Sequence, residues 1–317
     1  MIPVFNERES LPELHRRVSA VMDGLDGTSE LLYVDDSSFD GTGDLLVELQ
    51  RGDPRVKVIR FARNFGHQVA ITAGLDFATG DAVIVMDGDL QDPPEVVPDL
   101  VARWQEGYEV VYAVREQREG ERWLKRTTAA WFYRLLRRIA SVDMPLDAGD
   151  FRLVDRAALD AFRSMRERTR YVRGMFSWVG FRQVGVPYHR PERFAGEPKY
   201  SFRKSLRLAA DGLISFSNAP LRLALVGGFL FSSLAFVVGL FAVVARLAGA
   251  FTVPGWTSIL VVVSFLGGIQ LTLMGMLGLY ISRIYDEVKA RPLYVIREAH
   301  GITTATHEPI DPLALQR

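Results

Sequence analysis

The chain has 317 residues, a formal net charge of zero and no cysteine. That length holds one large domain or two ordinary ones with a full core, and the charge balance gives no reason to expect nucleic acid as a partner. The absence of thiols excludes disulfide frameworks, thiolate metal sites and cysteine nucleophiles, and none of the five histidines pair at metal-ligand spacing.

The polar start carries no signal peptide, because Asn6, Glu7, Arg8 and Glu9 interrupt any apolar run. The chain is therefore expected to begin on the cytoplasmic side. Met1 sits directly against a proline-containing apolar strand, as though a few residues preceded it. Strand-like apolar runs at residues 2–5, 30–34, 56–61, 82–86 and 109–113 alternate with segments of helical length and period. This alternation predicts an α/β fold with a mostly parallel, Rossmann-like sheet covered on both faces. In such sheets ligands bind beyond the carboxyl ends of the strands.

Acidic and polar residues gather at those ends. Asn6 and Glu7 follow the first strand, Asp35 and Asp36 the second, Asp87 and Asp89 the fourth. Any one of them is also a good helix cap, Asp35 most of all. The segment 60–68 (Arg-Phe-Ala-Arg-Asn-Phe-Gly-His-Gln) lies between a strand and a helix; Arg63 is placed to meet phosphate, and His67 is read as capping the next helix. The strongest local signal is Asp87-Gly88-Asp89-Leu90-Gln91-Asp92-Pro93-Pro94, directly after a buried strand. Carboxylates two apart on an extended segment point to one side. Two hard oxygen ligands so placed can hold Mg²⁺ or Mn²⁺, which bridges a diphosphate and acts as a Lewis acid on the leaving group.

Composition changes near Pro220. Residues 223–245 and 247–282 contain no charge, and each stretch exceeds the roughly 20 apolar residues that cross a hydrocarbon core. Gly249, Pro254 and Gly255 between them predict a two-helix transmembrane hairpin. Arg203, Lys204, Arg207 and Arg222 precede the first span and Arg283, Lys289 and Arg291 follow the second, which places both ends in the cytoplasm. Gly227, Gly228, Gly267, Gly268, Gly275 and Gly278 offer small surfaces for helix packing and leave a homo-oligomer open. Upstream, Phe202, Leu206, Ala209, Leu213 and Phe216 recur on one face and Arg203, Lys204, Arg207 and Asp211 on the other, the pattern of an interfacial amphipathic helix. The expected organisation is a catalytic domain over residues 1–200, the amphipathic helix over 201–219, two membrane helices over 220–284 and a cytoplasmic tail over 285–317.

The residues Pro3-Val-Phe-Asn-Glu7, Val34-Asp-Asp36, Asn64-Phe-Gly-His67 through Gly74-Leu-Asp76, and Asp87-Gly-Asp89-Leu-Gln-Asp-Pro-Pro-Glu95 resemble a family 2 glycosyltransferase of the GT-A fold. Within that family the chain is similar to polyprenyl-phosphate glycosyltransferases, the relatives of dolichol-phosphate mannose synthase. Asp147-Ala-Gly-Asp150-Phe-Arg152-Leu brings it nearest to bactoprenol glucosyltransferases. Gly88 departs from the alanine usual in the family.

The resemblance implies an inverting transfer of one sugar from a nucleotide-sugar donor to polyprenyl phosphate, for envelope glycans. It favours glucose from UDP-glucose and leaves GDP-mannose or another UDP-sugar open. It implies a multi-pass protein of the bacterial inner membrane. It places Pro3, Glu7 and Asp36 at the base and ribose, Asp87 and Asp89 on the donor diphosphate through the metal, and Gln91 beside metal or sugar. Asp150 is the family-supported residue at the reacting centre, where it is expected to orient more than to remove a proton. An ionised acceptor phosphate makes a general base optional. An anionic acceptor wants cations near the membrane face, and Arg190, Arg193, Lys199 and Arg203 supply them in a loop like the family's; Arg152 is a further candidate. Two rivals remain. A processive polysaccharide synthase needs more spans and a Gln-x-x-Arg-Trp motif that is absent, and a non-catalytic membrane scaffold does not need Asp87 and Asp89.

Overall fold

The computed structural model describes residues 1–115, 148–189, 219–248 and 255–302. Arg190, Arg193, Lys199, Arg203 and the amphipathic helix lie outside them. The chain forms two compact units, one built on strands and one helical.

The first unit alternates strands and helices as its periodicity requires: β1 (Ile2–Val4), α1 (Leu11–Asp23), β2 (Leu31–Asp35), α2 (Thr42–Gly52), β3 (Val56–Phe61), α3 (His67–Phe77), β4 (Ala82–Val85), α4 (Val97–Gln105) and β5 (Val110–Arg115). There follow β6 (Ala148–Asp155), α5 (Arg156–Ser164), α6 (Val172–Trp178) and β7 (Gln183–Tyr188). All five residues of β2 are buried, as befits a strand covered on both faces. The core joins Ile2, Val4, Leu11, Leu14, Tyr33, Val58, Leu100, Val111 and Leu153.

The sheet is mixed, which corrects the expectation of a mostly parallel one. With β8 (Ile296–His300) included, the strands order as β1-β2-β3-β8 and β4-β6-β5-β7, and the Met86 amide donates to the Met1 carbonyl at 3.2 Å across the seam between the two sheets. Strand β6 inserts antiparallel between β4 and β5, the two strands that a simple crossover would have made neighbours. Strand β8 (Ile296–His300) then pairs antiparallel with β3. Parallel pairs (β1–β2, β2–β3, β5–β7) therefore only equal antiparallel ones (β3–β8, β4–β6, β5–β6) among the described residues.

The return of the chain at β8 was not foreseen for a segment read as a tail. It is tied in by specific contacts: Arg60 to Glu298 at 3.0 Å, the Tyr294 ring stacked on Phe61 at 5.4 Å, and the Tyr294 hydroxyl donating to Asp76 at 2.9 Å.

The second unit holds α7 (Ala219–Leu247) and α8 (Trp256–Val288). They touch through the edge-to-face rings of Phe231 and Phe265, 5.9 Å apart. The expected membrane hairpin, and with it the multi-pass localisation, is corrected here. Among the described residues one helical stretch, Phe265–Val288, with 24 residues and mean hydropathy 1.5, is long and apolar enough to cross a membrane. The apolar stretch described in α7, Val226–Val238, is shorter than the roughly 20 residues a span requires. On α8, Leu271, Met274 and Ile281 expose their apolar surface, an arrangement that suits lipid better than water.

Candidate active site

Three strand exits of the first unit carry a non-glycine residue in the left-handed region: Asn6 (φ 54°) after β1, Ser37 (φ 64°) after β2 and Leu90 (φ 60°) after β4. Such conformations cost about 1 kcal/mol or more each and persist where surrounding contacts impose them. The contacts are present. The Asn6 amide donates to Ser38 Oγ at 2.9 Å and the Phe39 amide to Asn6 Oδ1 at 3.0 Å, lacing the first two loops together. Glu7 donates its amide to Thr42 Oγ1 at 3.0 Å and accepts from Ser10 Oγ at 2.9 Å.

The Asp87–Asp89 turn is seated against these loops. A Cβ on Gly88 would lie 3.1 Å from Val4 Cγ1, 3.3 Å from the Pro3 carbonyl and 3.7 Å from Glu7 Cγ. Pro3, Glu7 and the Asp-Gly-Asp segment, separated by some eighty positions in sequence, thus form one surface. The turn is held from within: the Asp87 amide donates to Asp92 Oδ2 at 3.1 Å and the Gln91 amide to Asp89 Oδ1 at 3.1 Å. Tyr188, at the end of β7, donates its hydroxyl to Asp92 Oδ1 at 3.0 Å.

The carboxylates on this rim are in different states. Asp35 is 1 % exposed; it accepts from the Ser38 amide at 2.9 Å and faces Arg60 at 3.5 Å, so it serves the turn after β2 and does not cap α2, whose N-cap is Gly41. Asp36 accepts from the amides of Phe65 at 2.6 Å and Gly66 at 2.9 Å, so both its oxygens hold the loop that leads into α3. Burial pushes its carboxyl up, against the pull of those amides. The side chain of Asp87 is 26 % exposed, yet its Oδ1 is buried with no hydrogen-bond partner. Burial raises its proton affinity most; Asp150 and Asp89 add to that, and His67 opposes it.

Asp150 and Arg152 project from β6. Asp150 accepts from Arg173 Nε at 2.8 Å and Nη2 at 3.0 Å, with Gln68 Nε2 at 3.5 Å. His67 Nε2 stands 3.3 Å from Asp150 and 3.5 Å from Asp87 Oδ1. Burial would raise the Asp150 carboxyl, but Arg173 and His67 outweigh it and hold the group well below the usual carboxylate range. For His67 burial acts to lower, and Asp150 and Asp87 carry it up to about 9. Arg152 is buried, with Nη2 on the Gly149 carbonyl at 2.8 Å and Nε without a partner; burial brings its guanidinium down to about 10. It lies over the Phe176 ring at 5.1 Å.

The structure therefore brings together Pro3, Glu7, Asp87, Asp89 and Gln91, and links Asp87 to Asp150 through His67. It sets Asp36 to work on the backbone. His67, first read as a helix cap, opens α3 but turns its ring to two carboxylates. Gln68, Asp92, Arg173 and Tyr188 are site residues that sequence reasoning missed. His67 and Gln68 stood in a segment already marked as polar between strand and helix, whereas Arg173 sits in a seven-residue helix with no motif to announce it.

Among the described residues no group of three or more His, Asp or Glu side chains gathers as a metal cluster. The orphaned Asp87 Oδ1 beside Asp89 suits a hard cation that takes its remaining ligands from a diphosphate and water. It does not suit a cation held by the protein alone.

Comparison with known proteins accords with this geometry. Residues 1–163 match the glycosyl transferase family 2 profile. An uncharacterized glycosyltransferase of Bacillus subtilis is 47% identical over 302 residues, covering 95% of this chain and 94% of the relative. A prophage-derived bactoprenol glucosyl transferase of Shigella flexneri is 41% identical over 300 residues, covering 95% and 97%. A prophage bactoprenol glucosyl transferase homolog of Escherichia coli K12 is 41% identical over 297 residues, covering 94% and 97%. The chain belongs to glycosyl transferase family 2, and its first unit is the GT-A-like mixed sheet with flanking helices.

Proposed function

We propose that this family 2 glycosyltransferase moves a single glucose from UDP-glucose to a polyprenyl phosphate, with inversion at the anomeric carbon. The observation that carries the reading is the near full-length likeness, at 41% identity, to proteins named bactoprenol glucosyl transferases. The site supports it chemically. Pro3 and Glu7 border the place for the nucleoside, and Gln91 lies beside the diphosphate. Asp87 and Asp89 would hold Mg²⁺ or Mn²⁺, which supplies charge to the departing diphosphate when bound. Asp36 contributes by fixing the loop ahead of α3.

The acceptor oxygen is already ionised, so the protein's task is to align it behind the anomeric carbon and to balance charge. Arg152 is proposed to lend positive charge to that centre. Arg190, Arg193, Lys199 and Arg203 are proposed to meet the lipid phosphate, and α8 to keep the chain at the membrane where that lipid resides. The catalytic role proposed for Asp89 is to help Asp87 hold the metal, which would offset charge on the leaving diphosphate.

The test is transfer in detergent from radiolabelled UDP-glucose to undecaprenyl phosphate, with Mg²⁺ or Mn²⁺ and with chelator. Metal-dependent label in the lipid phase is expected. Label from GDP-mannose or another UDP-sugar instead would replace the donor, and no lipid-linked label from any nucleotide sugar would sink the reading.

A further inference from the structure

Among the described residues, Arg173 is a cation that the site leaves partly exposed. Its Nε and Nη2 grip the two oxygens of Asp150 at 2.8 and 3.0 Å, the paired geometry in which a guanidinium meets a carboxylate. The partners differ in exposure: the Arg173 side chain is 35 % exposed and that of Asp150 3 %. The carboxylate is thus the buried back of the pair and the guanidinium its open front. On the far side of Asp150 stands His67 at 3.3 Å, itself 3.5 Å from Asp87 Oδ1. Arg152, buried and with an unpartnered Nε, is close enough to interact with both Asp150 and Arg173 and adds positive potential to the pair. A long side chain pinned in this way has already lost its rotamer freedom, so capturing an anion costs it little more.

We propose that Arg173 is a catalytic residue whose guanidinium binds a phosphate oxyanion at the reacting centre, and that Asp150 is the positioning residue that holds it there. This rests on the transferase reading above but not on the identity of the sugar. The ligand chemistry is a phosphate oxygen, from the donor diphosphate or from the lipid acceptor. Asp150 is unsuited to act as a base, since Arg173, His67 and Gln68 all direct N–H groups at it, and donors to the charged form lower its affinity for a proton. The ionised acceptor needs no base.

The experiment uses the full chain in detergent, with Arg173→Ala, Arg173→Gln, Asp150→Asn and the double variant Asp150→Asn/Arg173→Gln. Arg173→Ala is expected to lose about 100-fold in kcat/KM, the usual scale for one oriented electrostatic group. Guanidinium ion at sub-denaturing concentration should restore part of that loss, which a merely structural residue would not allow. The double variant should be no slower than Arg173→Gln alone, because Asp150 then has nothing left to position. If Arg173→Ala does not fold, Arg173→Gln, which keeps a hydrogen bond to Asp150, carries the same comparison.

Calorimetry with UDP and Mg²⁺, and separately with undecaprenyl phosphate, assigns the source. Weaker UDP binding points to the donor diphosphate and weaker lipid binding to the acceptor; either supports the proposal. Variant rates within threefold of wild type, losses that multiply in the double variant, or unchanged binding of both ligands would overturn it. A wild-type chain that transfers nothing would sink the transferase reading, while the two calorimetric arms would still decide Arg173.

Discussion

The loops after β2 and after β4 carry carboxylates at equivalent places on one rim, and the two are used in opposite ways. Asp36 gives both oxygens to the backbone amides of Phe65 and Gly66. Asp87 receives no such support: its Oδ1 is buried without a hydrogen-bond partner and only faces His67 Nε2 at 3.5 Å, and the contact of its backbone amide with Asp92 fixes the turn and not the carboxylate. One acid is satisfied by the fold and stabilises it. The other is left short, which is unfavourable for folding and useful for a ligand that brings positive charge. The residue type does not tell the two apart; the partners do.

That contrast predicts opposite signs. Asp87→Asn should lower transfer by a factor on the order of 10²–10³ while leaving the thermal stability of the metal-free protein unchanged or higher, because a buried, under-satisfied charge is removed. Melting curves without and with Mg²⁺ check both parts, since any metal-linked rise in melting temperature should vanish in the variant. A clear loss of stability without metal would show that Asp87, like Asp36, belongs to the scaffold. Asp36→Ala should behave in the opposite sense. Two backbone amides lose a charged acceptor, a cost of about 3 kcal/mol, visible as a lower midpoint in urea, and much of the activity loss should be recovered at low temperature. An Asp36→Ala protein as stable as wild type, but unable to bind UDP, would return Asp36 to the nucleotide.

How far the sequence revealed this site follows the same physics. Alternation and local motif depend on neighbours in the chain, so β1 to β5 and the Asp87-Gly-Asp89 turn were readable, as was the rim on which they meet. The insertion of β6 between β4 and β5, and the return of β8 to β3, are decided by pairings across long stretches of chain, and no local period records them. Arg173 escaped because it is defined by a partner, Asp150, on another element. The left-handed Leu90 was invisible for a different reason: nothing in leucine favours that conformation, and only the seated turn imposes it.

A smaller effect sharpens the comparison at the turn itself. Tyr188 holds Asp92, and Asp92 holds the Asp87 amide, so Tyr188→Phe removes a hydroxyl that bonds Asp92 and faces Arg115, two steps from the carboxylate. A loss of about 1 kcal/mol in stability is expected from the lost hydrogen bonding. The KM for the donor should rise several-fold with kcat little changed, since the turn keeps its shape but is held less firmly. If kcat fell and KM stayed, the Tyr188–Asp92 bond would be acting on the reacting centre and not on donor binding.

The smallest predicted effect concerns Gly88, between the two acids. Its φ is not in the left-handed region, so alanine meets no backbone penalty there. The obstacle is space: a new Cβ would lie 3.1 Å from Val4 Cγ1 and 3.3 Å from the Pro3 carbonyl. The valine methyl can turn away by a few tenths of an ångström, whereas the carbonyl is fixed in the β1–β2 pairing that runs Pro3 to Val34. Gly88→Ala should therefore push the turn slightly outward from β1, at a cost of about 1 kcal/mol at the low end of overpacking effects. Donor KM and kcat are expected to stay within threefold of wild type. A tenfold loss would mean that the distance between the Asp-Gly-Asp turn and Pro3 is itself tuned, and that the satisfied loops and the under-satisfied turn act as one rigid surface.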